Sequence, residues 1–152
     1  MTDTPMLGVD YGERRIGLAV SNGPLAVPLS IVEHTNRAAD LERVAAAARD
    51  QHATRVVIGL PLHMSGDEGE QSRRTRRFGD ALARRLDVPV VYADERYSSV
   101  RAADALDAAP VAKRGSTTKR RLDDVAAAMI LQAYIDGKHA APAAAASDES
   151  AR

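Results

Sequence analysis

Met6-Leu-Gly-Val-Asp-Tyr-Gly-Glu-Arg-Arg-Ile-Gly-Leu-Ala-Val-Ser21 is the stretch whose reading decides the fold. Two strand patterns, Met6–Tyr11 and Arg15–Ser21, flank Gly12-Glu13-Arg14, which reads as a hairpin connection. A third strand pattern follows at Ala26–Val32. Pro28 lies inside it and has no N–H for a ladder, which puts that strand at a sheet edge. Three strands joined by short turns run antiparallel.

The pattern then changes period. Ala38–Gln51 reads as a helix capped by Asn36, with Leu41, Val44, Ala45 and Ala48 at helical spacing. Arg55–Leu60 is a continuous apolar run, as expected of a strand covered on both faces, and Pro61 ends it. Leu62–Gly69 is a loop, and Glu70–Leu86 a helix whose inward stripe is Thr75, Phe78, Leu82 and Leu86. Val88–Ala93 is a second buried strand. Ser98–Ala108 is a helix capped by Ser98 or Ser99, Ala109–Thr118 a mobile loop, and Arg121–Asp136 the last helix. Strands reached through helical crossovers lie parallel to the first. The expected fold is α/β: a five-stranded mixed sheet, three antiparallel strands then two parallel, with helices on both faces, within residues 1–137. Residues 138–152, rich in Ala, Pro and Ser, read as a disordered tail.

The 152 residues suit one domain, and the chain is long enough to bury a core without staples. With no Cys, disulfide scaffolds, thiolate metal sites and thiol nucleophiles are excluded. No apolar run approaches the ~20 residues of a membrane span, and the short acidic start is no secretory signal. A cytoplasmic protein is expected. The net charge of zero hides a gradient. Residues 1–72 carry 6 basic and 10 acidic side chains, residues 73–121 carry 13 and 6, and residues 122–152 carry 2 and 5. A basic middle third reads either as solvated helix surface or as a polyanion-binding face.

Three acids sit where such a fold gathers a site. Asp10 lies near the end of the first strand, where alternation puts Gly8, Asp10 and Gly12 on one face and Leu7, Val9 and Tyr11 on the other. Bare backbone around a carboxylate leaves room for a cation or phosphate, although a strand-end turn Asp has the same look. Asp94-Glu95 sits at the carboxyl end of the last strand, where open α/β sheets bind ligands, or serves the dipole of the next helix. Glu95 is the better candidate, since Asp94 follows directly from the strand. On the last helix, Ala127, Ile130 and Tyr134 fall within about 40° of Asp123, with Gln132 and Asp136 on the far side. Asp123 is thus centred on the apolar stripe, where a carboxylate needs a partner. Asp124 is on its flank.

Clustered carboxylates without Cys or His select hard cations, Mg²⁺ or Mn²⁺, whose usual task with such ligands is phosphodiester hydrolysis. Of the histidines, His34, His52 and His139 are expected to be solvated, and only His63 lies near the presumed site. On the Glu70–Leu86 helix, Arg73, Arg77 and Arg84 point outward, while Arg74 and Arg85 lie nearer the packed side. Lys113, Arg114, Lys119, Arg120 and Arg121 surround the loop leading into Asp123, an arrangement suited to a phosphate backbone. With 4 Tyr and 1 Phe, base stacking is a minor theme and recognition of backbone and shape is expected.

Four blocks in order carry a resemblance covering roughly Met6 to Gly137. They are Gly8-Val-Asp-Tyr-Gly-Glu-Arg-Arg-Ile-Gly-Leu-Ala-Val-Ser21, Ile58-Gly-Leu-Pro-Leu62 with Gly66, Asp94-Glu-Arg-Tyr-Ser-Ser99, and Leu122-Asp-Asp-Val-Ala-Ala-Ala-Met-Ile-Leu-Gln132. Together they resemble the YqgF/RuvX family of RNase H-like nucleases, described both as Holliday-junction resolvases and as pre-16S rRNA nucleases. The resemblance implies Asp10, Glu95 and Asp123 as the metal-binding triad. It matches Arg96 and Ser99 to positions beside the glutamate, and Gly12, Arg15 and Gly17 to the first hairpin. His63 and Tyr97 depart from the family pattern.

The implied strand order, 3-2-1-4-5, puts the backbone of Glu95 two strands, ~10 Å, from Asp10. The expected partner is structured RNA or branched DNA, with Arg15, Arg74, Arg96, Ser99, Lys113, Arg114, Lys119 and Arg120 as its contacts. A junction resolvase cuts two strands symmetrically and implies a two-fold homodimer. A non-catalytic RNA-binding assembly factor is the rival from another class. An actin-like ATPase, suggested by Asp10-Tyr11-Gly12, needs a second lobe that 152 residues do not supply.

Overall fold

A computed structural model describes residues 4–63, 65–95 and 115–137, with only the helical backbone described over 115–124. The elements are β1 (Leu7–Tyr11), β2 (Arg15–Asn22), β3 (Leu25–Glu33), α1 (Arg37–Asp50), β4 (Val56–Leu60), α2 (Glu70–Ala83), β5 (Val90–Asp94) and α3 (Gly115–Ile135). The expected helix Ser98–Ala108 and the tail 138–152 lie outside the described residues.

The sheet order is β3-β2-β1-β4-β5. β1 pairs antiparallel with β2 and parallel with β4. β2 pairs antiparallel with β3, and β4 parallel with β5. The hairpin closes where the Gly12 N–H donates to the Arg15 carbonyl at 2.9 Å. β3 is an edge strand, as Pro28 requires, and Pro28 lies opposite Ala19 where the register shifts. α1 starts on an Asn36 side chain that accepts from the Ala39 N–H at 2.9 Å, filling one orphan donor of the first turn.

Alternation along the strands builds two unequal cores. Leu7, Val9, Ile16, Leu18, Val56, Ile58 and Leu60 face α1 and α2, meeting Leu41, Val44, Phe78 and Leu82. Each such side chain stabilises the fold by about 1.5–3 kcal/mol when buried. The other face is thinner: Ala19, Val57 and Ala93 meet Ala127, Ile130 and Leu131 of α3. Gly8 is its floor. A Cβ there would lie 2.8 Å from Leu131 Cβ and 3.1 Å from the Ala127 carbonyl, so α3 rests on bare backbone.

Three boundaries differ from the sequence reading by two residues or more. α3 begins at Gly115 rather than Arg121, so the last four residues of the expected mobile loop, together with Lys119 and Arg120, are helical. The hydroxyl run Ser116-Thr117-Thr118 reads as loop, yet Ser and Thr are also at home at a helix start. α2 ends at Ala83, not Leu86, because Pro89 holds Val88 extended and the chain must turn into β5. β5 itself begins at Val90. No helix among the described residues is long and apolar enough to cross a membrane.

Candidate active site

Asp10 is the penultimate residue of β1, the central strand, and shares the α3 face with Gly8. Its antiparallel partner is Gly17. On the parallel side, Val9 pairs with Ile58, so the next step of the register sets Asp10 beside Gly59. Its backbone neighbours on this face are therefore glycines: Gly8 before it, Gly17 on one neighbouring strand, Gly59 on the other. Sequence reasoning found only the glycines adjacent along β1.

Glu95 follows β5 directly, and its N–H donates to the Leu60 carbonyl at 3.1 Å, extending the β4–β5 ladder by one step. Ala93 belongs to the α3-side core, so alternation brings Glu95 to the same face as Asp10. Asp94 alternates to the opposite face and is 4% exposed. The Glu95 side chain then bends inward. Its Oε1 lies 2.7 Å from the position a Cβ of Gly59 would occupy, above β4 rather than above its own strand. The backbone gap of two strands is thus reduced at the carboxylate to about one strand spacing, ~4.8 Å. Gly59 makes that lean possible. Its signal in the sequence is a lone glycine inside the apolar run Val56–Leu60.

Asp123 is in α3. Tyr134, near the C-terminal end of α3, accepts from Arg55 Nη1 at 2.6 Å beside the start of β4, so the helix runs opposite to β1 and β4. From Ala127 above Gly8, four residues back along α3 is ~6 Å, and two residues forward along β1 is ~6.6 Å. The backbone of Asp123 is therefore level with Asp10. Its side chain lies outside the described residues. Among the described residues, no group of three His, Cys, Asp or Glu is close enough to hold a metal ion. What they do bring to one face are two oxygen donors, Asp10 and Glu95.

The basic candidates divide. Arg15 is held at the hairpin base by Glu33, with Nε 3.3 Å from Oε2. Arg74 is exposed on α2. Arg85 is exposed, lines a small cavity with Ala48 and Leu86, and pairs with Glu42 of α1 at 3.6 Å. Arg76, not singled out by its helical angle, donates to Glu68 at 2.7 Å and lies over the Tyr92 ring at 4.9 Å. Arg96, Ser99, Lys113 and Arg114 lie outside the described residues, as do the side chains of Lys119 and Arg120.

His34 corrects an expectation. It is not free in solvent but bridges two elements, with Nδ1 2.8 Å from Asp40 Oδ2 and Nε2 2.9 Å from the Gly12 carbonyl oxygen. Asp40, 3% exposed, also accepts from the Thr35 N–H at 3.1 Å. Burial acts to raise the Asp40 carboxyl, but the His34 hydrogen bond, the Thr35 amide and the His34 charge outweigh it and hold it below its ordinary 3.8. The cluster braces the turn after Asp10 from the far face of the sheet. Tyr11, beside it, stacks on Phe78 with ring centroids 4.4 Å apart. His52 is exposed at the end of α1, with φ 56°, and the exposed His63 ring packs on Gly69. A cavity of about 400 Å³ lined by Thr4, Arg55 and Tyr134 lies at the opposite end of β1 from Asp10 and is no part of this site.

Comparison with known proteins supplies the context. The family model for RuvX, described as Holliday junction resolvase, matches residues 4–137. A protein of Anaeromyxobacter sp. (strain Fw109-5) named "Putative pre-16S rRNA nuclease" is 44% identical over 136 residues, covering 88% of this chain and 98% of its own. One of the same name from Gloeobacter violaceus is 41% identical over 133 residues, covering 86% and 83%. Among solved structures, T. thermophilus RuvC in complex with a Holliday junction substrate superposes with a TM-score of 0.60 at 15% identity, covering 90% of this chain and 98% of that one. The fowlpox virus resolvase bound to Holliday junction DNA gives 0.53 at 13% identity, covering 88% and 98%. At such identities the likeness shows the fold, the RNase H-like fold of these resolvases, and nothing more.

Proposed function

Since the chain belongs to the RuvX family, we propose that it is a divalent-metal-dependent endonuclease of structured nucleic acid, acting in the cytoplasm on the 5′ end of pre-16S rRNA. The observation that carries this reading is the approach of Glu95 to Asp10 across Gly59, on the face that α3 covers. The donor set fits the ion: both groups are carboxylates, the neighbouring positions are glycines, and oxygen ligands of this kind suit Mg²⁺ or Mn²⁺. Asp10, Glu95 and Asp123 would hold it. When bound there, such an ion supplies a water activated for attack and charge stabilisation for the displaced oxygen.

The chain's own residues set the geometry. Asp10 sits on the central strand, where neighbours on both sides fix its backbone. Glu95 is anchored at its N–H to Leu60, and its carboxylate is steered by the bare backbone of Gly59. Arg15, Arg96, Ser99, Lys113, Arg114, Lys119 and Arg120 would hold phosphates beside the scissile bond, and Arg74, on the α1–α2 side of the sheet, would hold a phosphate farther along the strand. Water adds to phosphorus, one bridging P–O bond breaks, and the released oxygen takes a proton.

The relatives' names favour rRNA. The family description favours a second reading, a Holliday junction resolvase working as a two-fold homodimer. The deciding assay compares the wild type and Asp10→Asn on a labelled pre-16S 5′ leader and a synthetic four-way DNA junction, with Mg²⁺, Mn²⁺ or EDTA. Metal-dependent cutting that disappears in Asp10→Asn supports the nuclease, and the substrate cut chooses between the two readings. Failure to cut either, with RNA still bound by both proteins, overturns the nuclease in favour of a non-catalytic assembly factor.

A further inference from the structure

Asp10 and Tyr11 are consecutive on β1, so they face opposite sides of the sheet at the same edge. On the Tyr11 side, α2 packs its first turns against the end of β1. Gln71 Nε2 donates to the Tyr11 carbonyl at 3.1 Å, and Phe78 stacks on the Tyr11 ring. Arg74 is three residues after Gln71 and four before Phe78, hence on the same helix face. From α1, Arg37 reaches across: its Nη2 donates to the Arg77 carbonyl at 3.0 Å, bringing two guanidinium-bearing residues together.

Little neutralises this group. Among the described residues neither Arg37 nor Arg74 is in an ion pair, and Arg77 has only Glu70 at 3.9 Å, with both side chains more than half exposed. Such a pair contributes little. The buried acid nearby, Asp40, is already matched by His34. Arg37 is also the first residue of α1, where the helix dipole adds positive potential. Like charges gathered at one edge and only weakly matched by acids are unfavourable in the free protein and become favourable around an anion.

We propose that Arg37, Arg74 and Arg77 form a phosphate-binding surface on the α1–α2 side of the sheet, and that its partner is a flexible single strand which rounds the C-terminal edge of β1 from the acid site. A strand lying at Asp10 reaches these arginines only by turning over that edge, which a stiff duplex does not do. The single-stranded flank of a structured RNA has the needed flexibility and charge. This assignment rests on the nuclease reading for the direction of the strand, but its binding readout does not.

The test measures the affinity of the full-length protein for a labelled single-stranded RNA and for a duplex of the same sequence, across a salt series. Arg37→Ala/Arg77→Ala is compared with the wild type and with Arg84→Ala, an exposed arginine at the far end of α2. Each lost phosphate contact lowers the salt slope for a single strand by about 0.7. The double variant is expected to lose about 1.4 from the slope, and about ten-fold in affinity at moderate salt, for the single strand alone. Arg37→Lys/Arg77→Lys keeps the charges and should restore the slope, which separates charge from folding. An unchanged slope, an equal loss in Arg84→Ala, or an equal loss for duplex overturns the surface. Absence of cleavage by the wild type would remove the nuclease reading and leave the slope result standing.

Discussion

Replacing Gly59 by Ala tests the geometry that brings Glu95 toward Asp10. The added methyl would lie 2.7 Å from Glu95 Oε1 and 2.5 Å from Ile130 Cδ1. Both neighbours must retreat by roughly 1 Å to reach ordinary contact. Overpacking of this kind costs about 1–3 kcal/mol, and a chain of this size loses roughly 3 °C of Tm per kcal/mol. The single variant should therefore melt about 3–9 °C lower. The effect on chemistry is separable, because a catalytic group misplaced by ~1 Å can cost about 10²-fold in rate. Ile130→Val in the Gly59→Ala background removes Cδ1 and leaves Cγ1, 3.1 Å away, so the worse part of the apolar collision goes while the collision with Glu95 stays. The double variant should regain part of the lost Tm, yet cleave about 10²-fold more slowly and show a smaller rise in Tm on addition of Mn²⁺. A double variant with the wild-type rate and the wild-type Mn²⁺ response would refute the reasoning: Gly59 would then be a packing residue for α3 and nothing more.

Three further outcomes are expected. Asn36→Ala removes the acceptor for the Ala39 N–H and should cost about 1 kcal/mol in urea unfolding; an unchanged midpoint would contradict the cap. Asp40→Asn should cost about 2 kcal/mol at neutral pH through its weakened bonds to His34 and Thr35. Because the folded Asp40 carboxyl is held below 3.8, its stabilisation is present above that value and fades as pH falls through the lower folded value. The variant's acid limb should thus be flatter below about pH 4, and superimposable limbs would exclude the linkage. At the alkaline end, burial, then the Asp80 charge and hydrogen bond, raise the Tyr92 phenol above 10.0. Its contribution is complete below pH 10.0 and is lost as pH rises through the folded value, so Tyr92→Phe should flatten the alkaline limb. An unaltered limb in chemical denaturation between neutral pH and strong alkali would reject that assignment.

The parts of the fold legible in the sequence are those set by local period. Leu7, Val9 and Tyr11 against Gly8, Asp10 and Gly12 fixed which face of β1 carries the acid, and the run at Arg55–Leu60 marked a strand covered on both sides. Pro28 located the edge. The surroundings of Asp10 were less legible, since Gly17 and Gly59 become its neighbours only through strand register, which single-sequence patterning leaves open. The inward bend of Glu95 depends on the same register. His34 reads as solvated in the sequence because its partners, Asp40 and the Gly12 carbonyl, sit on other elements. The Arg37–Arg77 contact was hidden for a related reason: helical angles describe one helix, and this bond crosses between two. The start of α3 was misjudged where hydroxyl residues suit a loop and a helix start equally.

The glycine-floored face has a consequence for how the chain becomes a protein as it leaves the ribosome. Every strand of the sheet precedes α3 in the order of synthesis, and α1 and α2 are also available before it to cover their side. Until residues 115–135 have emerged, Ala19, Val57 and Ala93 form an uncovered apolar surface. The nascent chain thus passes through a stage with one finished core and one sticky, shallow plane, open to chaperones and to other unfinished chains. Closure by α3 buries the plane and, in the same motion, delivers the backbone of Asp123 to the level of Asp10. Completion of this face and the levelling of the Asp123 backbone with Asp10 are one event, timed by α3.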